Sequence, residues 1–90
     1  RKLAVFCEIT LNNHNDKNFE EFERFIDKMD EIVEVNYIAG NHDLLLKMYL
    51  NSMDDYEDIV MKKLSKLSII GNIQSSFVIK QVKNEIGVKL

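Results

Sequence analysis

One short stretch of this sequence places next to one another four residues that could bind a ligand: Gly40, Asn41, His42 and Asp43. Glycine and asparagine both tolerate positive φ angles, so the chain is predicted to reverse direction here in a tight turn. The stretch offers backbone N–H groups, an amide, an imidazole and a carboxylate. It could bind a small polar molecule, and the alternative interpretation is an ordinary solvent-exposed turn between two strands.

Two further polar residues, Gln74 and Ser76, share one face of a predicted strand whose flanking positions are apolar. Polar side chains in such a place need hydrogen-bond partners. A ligand could supply them. The alternative is a hydrogen bond to a neighbouring strand or to another subunit.

Metal binding is not predicted. The residues that could ligate a metal match no zinc spacing; they are Cys7, His14, His42 and Asp43. Cys7 falls within an alternating strand pattern and is expected to be a small core residue. No glycine-rich phosphate loop is present, so no cofactor is expected.

Catalysis is not predicted either. Ser75 or Ser76 would need to meet His42 to form a nucleophile–base pair, and no elbow or triad motif frames them. The acidic pairs near the helix starts are explained by the helix dipole.

The composition limits the possible partners. Ninety residues make one domain, and its net charge of −3 is unfavourable for direct contact with DNA phosphates. A single cysteine cannot form an internal disulfide, which favours a reducing cytoplasm. No apolar run approaches the roughly 18 residues of a membrane span, so no membrane partner is expected.

Hydrophobic periodicity predicts the helices and strands that position these residues. The pattern predicts, in order, a strand at Leu3–Leu11, a helix at about 16–29, two strands within 33–50, a helix from 51 onward, a strand at 73–82 and a short strand at 86–90. Gly71 and Asn72 are expected to interrupt the chain before the fourth strand. The order β-α-β-β-α-β indicates an α+β, ferredoxin-like fold, with two helices on one face of an antiparallel sheet.

The other face of this sheet is predicted to be an interaction surface. Its strand positions include Phe6, Leu45, Tyr49 and Val78. An uncovered sheet face should be polar, whereas a large apolar patch marks a contact with another molecule. The simplest partner is a second copy of the chain, packed sheet on sheet about a two-fold axis.

These residues together resemble the C-terminal effector domain of the Lrp/AsnC transcriptional regulators, the feast/famine proteins. The resemblance extends from residue 3 to residue 90. It depends on the order and spacing of several segments: Phe19-Glu20-Glu21-Phe22, residues 35–46 around the glycine turn, Lys62-Lys63-Leu64-Ser65-Lys66-Leu67, and Phe77-Val78-Ile79-Lys80-Gln81-Val82-Lys83.

The resemblance implies a homodimer formed through the sheets, assembly of dimers into a ring of eight, and a small effector, usually an amino acid, bound between dimers. It places the effector at Gly40, Asn41, His42 and Asp43 of the turn, and at Gln74 and Ser76 of the last strand. Two positions depart from the family pattern. Asn41 stands where an acidic residue is common, and Gln74 and Ser76 replace a pair of threonines.

The resemblance also implies that DNA is bound by a helix-turn-helix domain upstream of residues 1–90, which are predicted to form a single ligand-sensing and oligomerisation domain. The chain is then either a fragment or a stand-alone effector domain. Two alternatives stay open: an assembly module without a ligand, and a small ferredoxin-like enzyme such as an acylphosphatase or a dimeric monooxygenase. An acylphosphatase needs an arginine in a phosphate-binding loop, whereas Arg1 is terminal and Arg24 lies on the polar face of a helix.

Overall fold

A computed structural model describes residues 2–12 and 16–84. The elements are β1 (Leu3–Leu11), α1 (Asp16–Asp27), β2 (Ile32–Tyr37), β3 (Leu44–Leu50), α2 (Met53–Tyr56) and β4 (Ile70–Phe77). A π-helical segment, Glu57–Lys63, and a 3-10 turn, Leu64–Lys66, continue α2. No helix in this part of the chain is long and apolar enough to cross a membrane.

The four strands form one antiparallel sheet in the order β2-β3-β1-β4. β1 lies in the interior of the sheet, where Cys7 pairs with Leu46 of β3 on one side and with Ser75 of β4 on the other. The ferredoxin-like order predicted from the sequence is confirmed.

The core lies between the sheet and the helices, because the two central strands alternate strictly. From Val5 onward in β1, and throughout β3, every second residue is buried: Val5, Cys7, Ile9 and Leu11, and Leu44, Leu46, Met48 and Leu50. Phe22 of α1 and Ile59, Val60 and Leu64 of the second helical region pack against them. Cys7 is fully buried, as predicted for a core residue.

The second helical region starts where the sequence predicts. The Ser52 hydroxyl accepts a hydrogen bond from the Asp55 N–H at 3.3 Å, and the Asp55 carboxylate accepts one from the Asn51 N–H at 3.0 Å. These bonds satisfy amides that a helix start leaves unpaired. The change to π-helical winding after Tyr56 was not predicted.

The start of β4 differs from the prediction. Gly71 and Asn72 lie inside the strand and do not interrupt the chain. The side-chain amide of Asn12 donates to the carbonyls of Ile70 and Ser68, at 3.2 and 3.4 Å. A Cβ on Gly71 would lie 2.5 Å from the Asn12 Oδ1, so glycine is needed here for close packing.

Two other boundaries also move. α1 ends at Asp27, whereas the apolar spacing predicts an end near Met29. β4 ends at Phe77, so Ile79, expected within the strand, lies outside it and is 97% exposed. The predicted strand at 86–90 falls outside the described residues, as does His14.

Candidate functional site

The connection between β2 and β3 is a six-residue loop, residues 38–43, and is longer than the predicted tight turn. The Ile38 N–H donates to the Asp43 carbonyl at 3.0 Å and closes the loop. Gly40 has no positive φ, so the conformational reason predicted for this glycine is wrong. A Cβ at Gly40 would meet no atom within 4 Å, which leaves open space over the backbone.

Two backbone donors in this loop are available. Within the described residues, the N–H groups of Gly40 and Asn41 donate no hydrogen bond. Both residues are exposed. Adjacent unpaired amides of this kind suit an anionic group such as a carboxylate.

Asp43 holds the loop against the end of β1. Its Oδ2 accepts a hydrogen bond from the Leu11 N–H at 2.7 Å, and its own N–H donates to the Ile9 carbonyl at 2.9 Å. The carboxylate therefore has a structural partner, whatever else it binds.

His42 turns toward the sheet face opposite the helices, which we call the open face. Its Nε2 lies 3.4 Å from the Glu8 Oε2, and its Nδ1 lies 3.4 Å from the Thr10 hydroxyl. The imidazole side chain is only 19% exposed. It is thus a partly buried member of the open face, and not a solvated loop side chain.

Gln74 and Ser76 of β4 also lie on the open face. Gln74 is directly opposite Glu8 on β1, and Ser76 is opposite Phe6. Glu8 consequently lies between His42 and Gln74. We call Glu8, Thr10, His42 and Gln74 the polar cluster; Ser76 borders it, and Asn41 lies in the adjoining loop.

The sequence prediction missed Glu8 and Thr10. Strand alternation does assign both to the non-core face of β1. Their meeting with His42, however, depends on the pairing of β1 with β3, which places the start of β3 beside Ile9. The strand register was therefore needed to predict that Glu8 and Thr10 belong to the site.

The remainder of the open face is largely apolar. Phe6, Leu45, Tyr49 and Val78 are only partly covered. The Lys47 ammonium lies 5.6 Å from the ring centre of Phe6 and 5.2 Å from that of Tyr49. These are cation–π distances, so the lysine stem and both rings form one patch.

Two serines were considered as nucleophiles. Ser76 shares the open face with His42, whose side-chain contacts among the described residues are Glu8 and Thr10. Ser75 lies on the opposite side of the sheet. The Ser75 hydroxyl accepts a hydrogen bond from the Tyr56 hydroxyl at 2.8 Å and lies 3.4 Å from the Cys7 Sγ. Ser75 pairs with Cys7 on the helix-covered face, whereas His42 lies on the open face. Burial raises the pKa of the Cys7 thiol, and the Ser75 hydrogen bond partly offsets that rise. This arrangement is not a nucleophile–base pair.

A sequence profile of the Lrp/AsnC ligand binding domain matches residues 4–88. The chain belongs to this family. Among similar proteins, a proline dehydrogenase transcriptional activator from Rhizobium radiobacter is 34% identical over 92 residues, which cover 98% of this chain and 58% of that protein. The leucine-responsive regulatory protein of Escherichia coli (strain K12) is 33% identical over 81 residues, covering 90% of this chain and 49% of that protein.

The fold is that of solved regulators. A transcriptional regulator from Neisseria meningitidis, crystallised as a complex with L-Met, superposes with a TM-score of 0.89 at 24% identity. The match covers 97% of this chain and 56% of that one. The domain therefore spans about half the length of the curated relatives and of this regulator.

Proposed function

We propose that this domain binds an α-amino acid, or a related small molecule, at the polar end of the open face. The observation that carries the proposal is the meeting of two unpaired amides in loop 38–43 with the polar cluster beside it. An α-amino acid carries a carboxylate and an ammonium on one carbon, so its site needs amide donors next to an acceptor. This end of the sheet offers both.

In the proposed pose, the effector carboxylate binds the N–H groups of Gly40 and Asn41. The absence of a side chain on Gly40 lets it approach the backbone. The ammonium is bound by Asp43, whose carboxylate is fixed by Leu11. Gln74, Ser76 and His42 line the remainder of the site and contact the effector side chain.

The relatives support an effector of this class. The Neisseria regulator was solved with L-Met bound, and the Escherichia coli relative is named for its response to leucine. We infer that the present domain serves a transcriptional regulator in the same way and without catalysis. DNA would be contacted by a helix-turn-helix domain outside these ninety residues, since their net charge of −3 opposes binding to phosphates.

Assembly is the second part of the proposal. The apolar part of the open face packs against the same face of a second copy, and dimers associate into a ring of eight. Large apolar surfaces that a lone chain leaves uncovered are typical of contacts between subunits. Phe6 belongs to the Lys47 patch, and Val78 is hydrogen-bonded to Ala4, which pairs with Tyr49 of that patch. The polar cluster lies toward the other end of the strands.

A thermal-shift screen of the twenty amino acids, followed by calorimetry, tests the ligand. Binding to the folded state should raise the melting temperature for at least one amino acid. Gly40→Val should abolish that binding without loss of the dimer, because the added methyl groups enter open space over the proposed carboxylate site. Ala39→Val, an exposed position in the same loop, is the control and should bind normally. If no amino acid binds, the domain is an assembly module. Equal binding by the Gly40 variant would place the pocket elsewhere.

Sedimentation at micromolar concentration tests assembly. The parent domain should sediment as a dimer or larger. Phe6→Glu should shift it toward monomer, because the substitution removes an aromatic ring from the proposed contact and puts a charged group in its place. Met61→Glu is the matched control, since Met61 is exposed on the helical side of the molecule. A parent domain that stays monomeric would end this part of the proposal.

A further inference from the structure

The Glu8 carboxylate is the charged group of the polar cluster for which the pose above gives no use. It lies on the open face, 38% exposed, with Gln74 opposite it on β4 and Leu45 opposite it on β3. Its ionic contact within the described residues is His42, at 3.4 Å, with no lysine or arginine at ion-pair distance. Lys47, which lies on the same face, is placed over two aromatic rings.

The histidine holds this carboxylate in place. When the His42 Nε2 donates to Glu8, the Nδ1 is an acceptor and the Thr10 hydroxyl donates to it. Each member of the row Thr10, His42 and Glu8 then has a partner. The row ends in an anion that faces the Gln74 side of the site.

We propose that Glu8 sets the specificity for the effector, an inference that depends on the amino-acid site proposed above. Its carboxylate accepts a hydrogen bond from the end of the effector side chain. The site thereby selects side chains that end in an N–H donor, most strongly the cationic ones of lysine and arginine. An aliphatic side chain would desolvate the carboxylate without a bond in return, and an acidic one would be repelled.

Calorimetry with lysine, arginine, glutamine, leucine and methionine tests the inference on the intact domain. The Kd for lysine or arginine should be at least about tenfold lower than for leucine or methionine, the scale of one hydrogen bond to a charged group. Glutamine should fall between them.

Glu8→Gln should reduce that preference by about tenfold or more, with little change for leucine and methionine. The substitution keeps an acceptor for His42 and nearly the same shape, and circular dichroism checks that the variant folds. Glu34→Gln is the matched control. Glu34 is another carboxylate of the open face, but it lies opposite Lys47 on β3 and outside the polar cluster. Its substitution should leave the preference unchanged.

The outcomes separate the two proposals. If leucine or methionine binds as tightly as lysine and arginine, or if Glu8→Gln leaves the preference intact, the role of Glu8 is refuted while the amino-acid site stands. If the parent binds none of the amino acids, both fall together. The comparison on the parent does not depend on the folding of any variant.

Discussion

Removal of the Asp43 carboxylate should destabilise the domain itself, apart from any effect on a ligand. In Asp43→Ala, the Leu11 N–H loses its acceptor at 2.7 Å, so that only the backbone bond from the Asp43 N–H to Ile9 still ties this end of loop 38–43 to β1. A hydrogen bond to a charged group contributes about 1.5–3 kcal/mol. We expect the free energy of unfolding to fall by about this amount. For a domain of this size, the melting temperature should drop by roughly 6 °C or more.

Asp43→Asn separates the charge from the acceptor. The asparagine carbonyl oxygen can still accept from Leu11, while the negative charge is gone. Charge-assisted hydrogen bonds are about twice as strong as neutral ones, so this variant should lose about half as much stability. If Asp43 also binds the effector ammonium, Asp43→Asn should reduce the free energy of effector binding by more than it reduces the free energy of unfolding.

Urea unfolding measures the change in the free energy of unfolding for each variant. All samples are kept at one protein concentration, because association between copies contributes to apparent stability. Asp30→Ala, which removes an exposed carboxylate from the segment before β2, serves as the control and should unfold with the parent. An Asp43→Ala domain that unfolds at the same urea concentration as the parent would refute the structural role of this carboxylate.

Three other expectations concern Gly71, Cys7 and Tyr37. Gly71→Ala should lower the free energy of unfolding, measured in urea, by about 1–3 kcal/mol, because the added methyl group would displace Asn12. Gly40→Ala is the control, since its methyl group enters open space and should leave the free energy of unfolding unchanged. Equal stability of the two variants would contradict this expectation. Cys7 should resist thiol reagents until the domain unfolds, and prompt labelling of the folded domain would contradict its burial. Desolvation, together with a hydrogen bond to a carboxylate, raises the pKa of Tyr37 from 10 to about 12. The stabilising effect of the protonated tyrosine is therefore complete below pH 10 and is lost as the pH rises toward 12. A spectrophotometric titration of the parent should show a late tyrosine step that Tyr37→Phe removes, and a parent without that step would contradict the shift.

Sequence alone was sufficient where local pattern decides structure. The strands Leu3–Leu11 and Leu44–Leu50 have the bounds that their alternation predicts, because their alternate residues, apart from the exposed Leu3, enter the core. The helix start at Ser52 also follows from neighbours in the chain, since the capping groups lie within four residues of one another. The element order then yields the fold.

Sequence was insufficient where a distant contact overrides a local preference. Gly71-Asn72 is a typical chain break, yet these residues extend β4 because the Asn12 side chain packs over Gly71 and binds the carbonyl before it. Gly40 was expected to provide a positive φ, but in the longer loop this glycine does not adopt one. In both cases the glycine marks a position with a special structural role, but that role differs from the one that the sequence predicted.

The candidate site divides along the same line. The sequence identified loop 40–43 and the polar pair in the last strand by residue type alone. It did not assign Asp43 to the Leu11 amide, nor His42 to Glu8, because these contacts join residues 32 and 34 positions apart. Only strand pairing brings Glu8 between His42 and Gln74, since the antiparallel register fixes which side chains of three strands share one face.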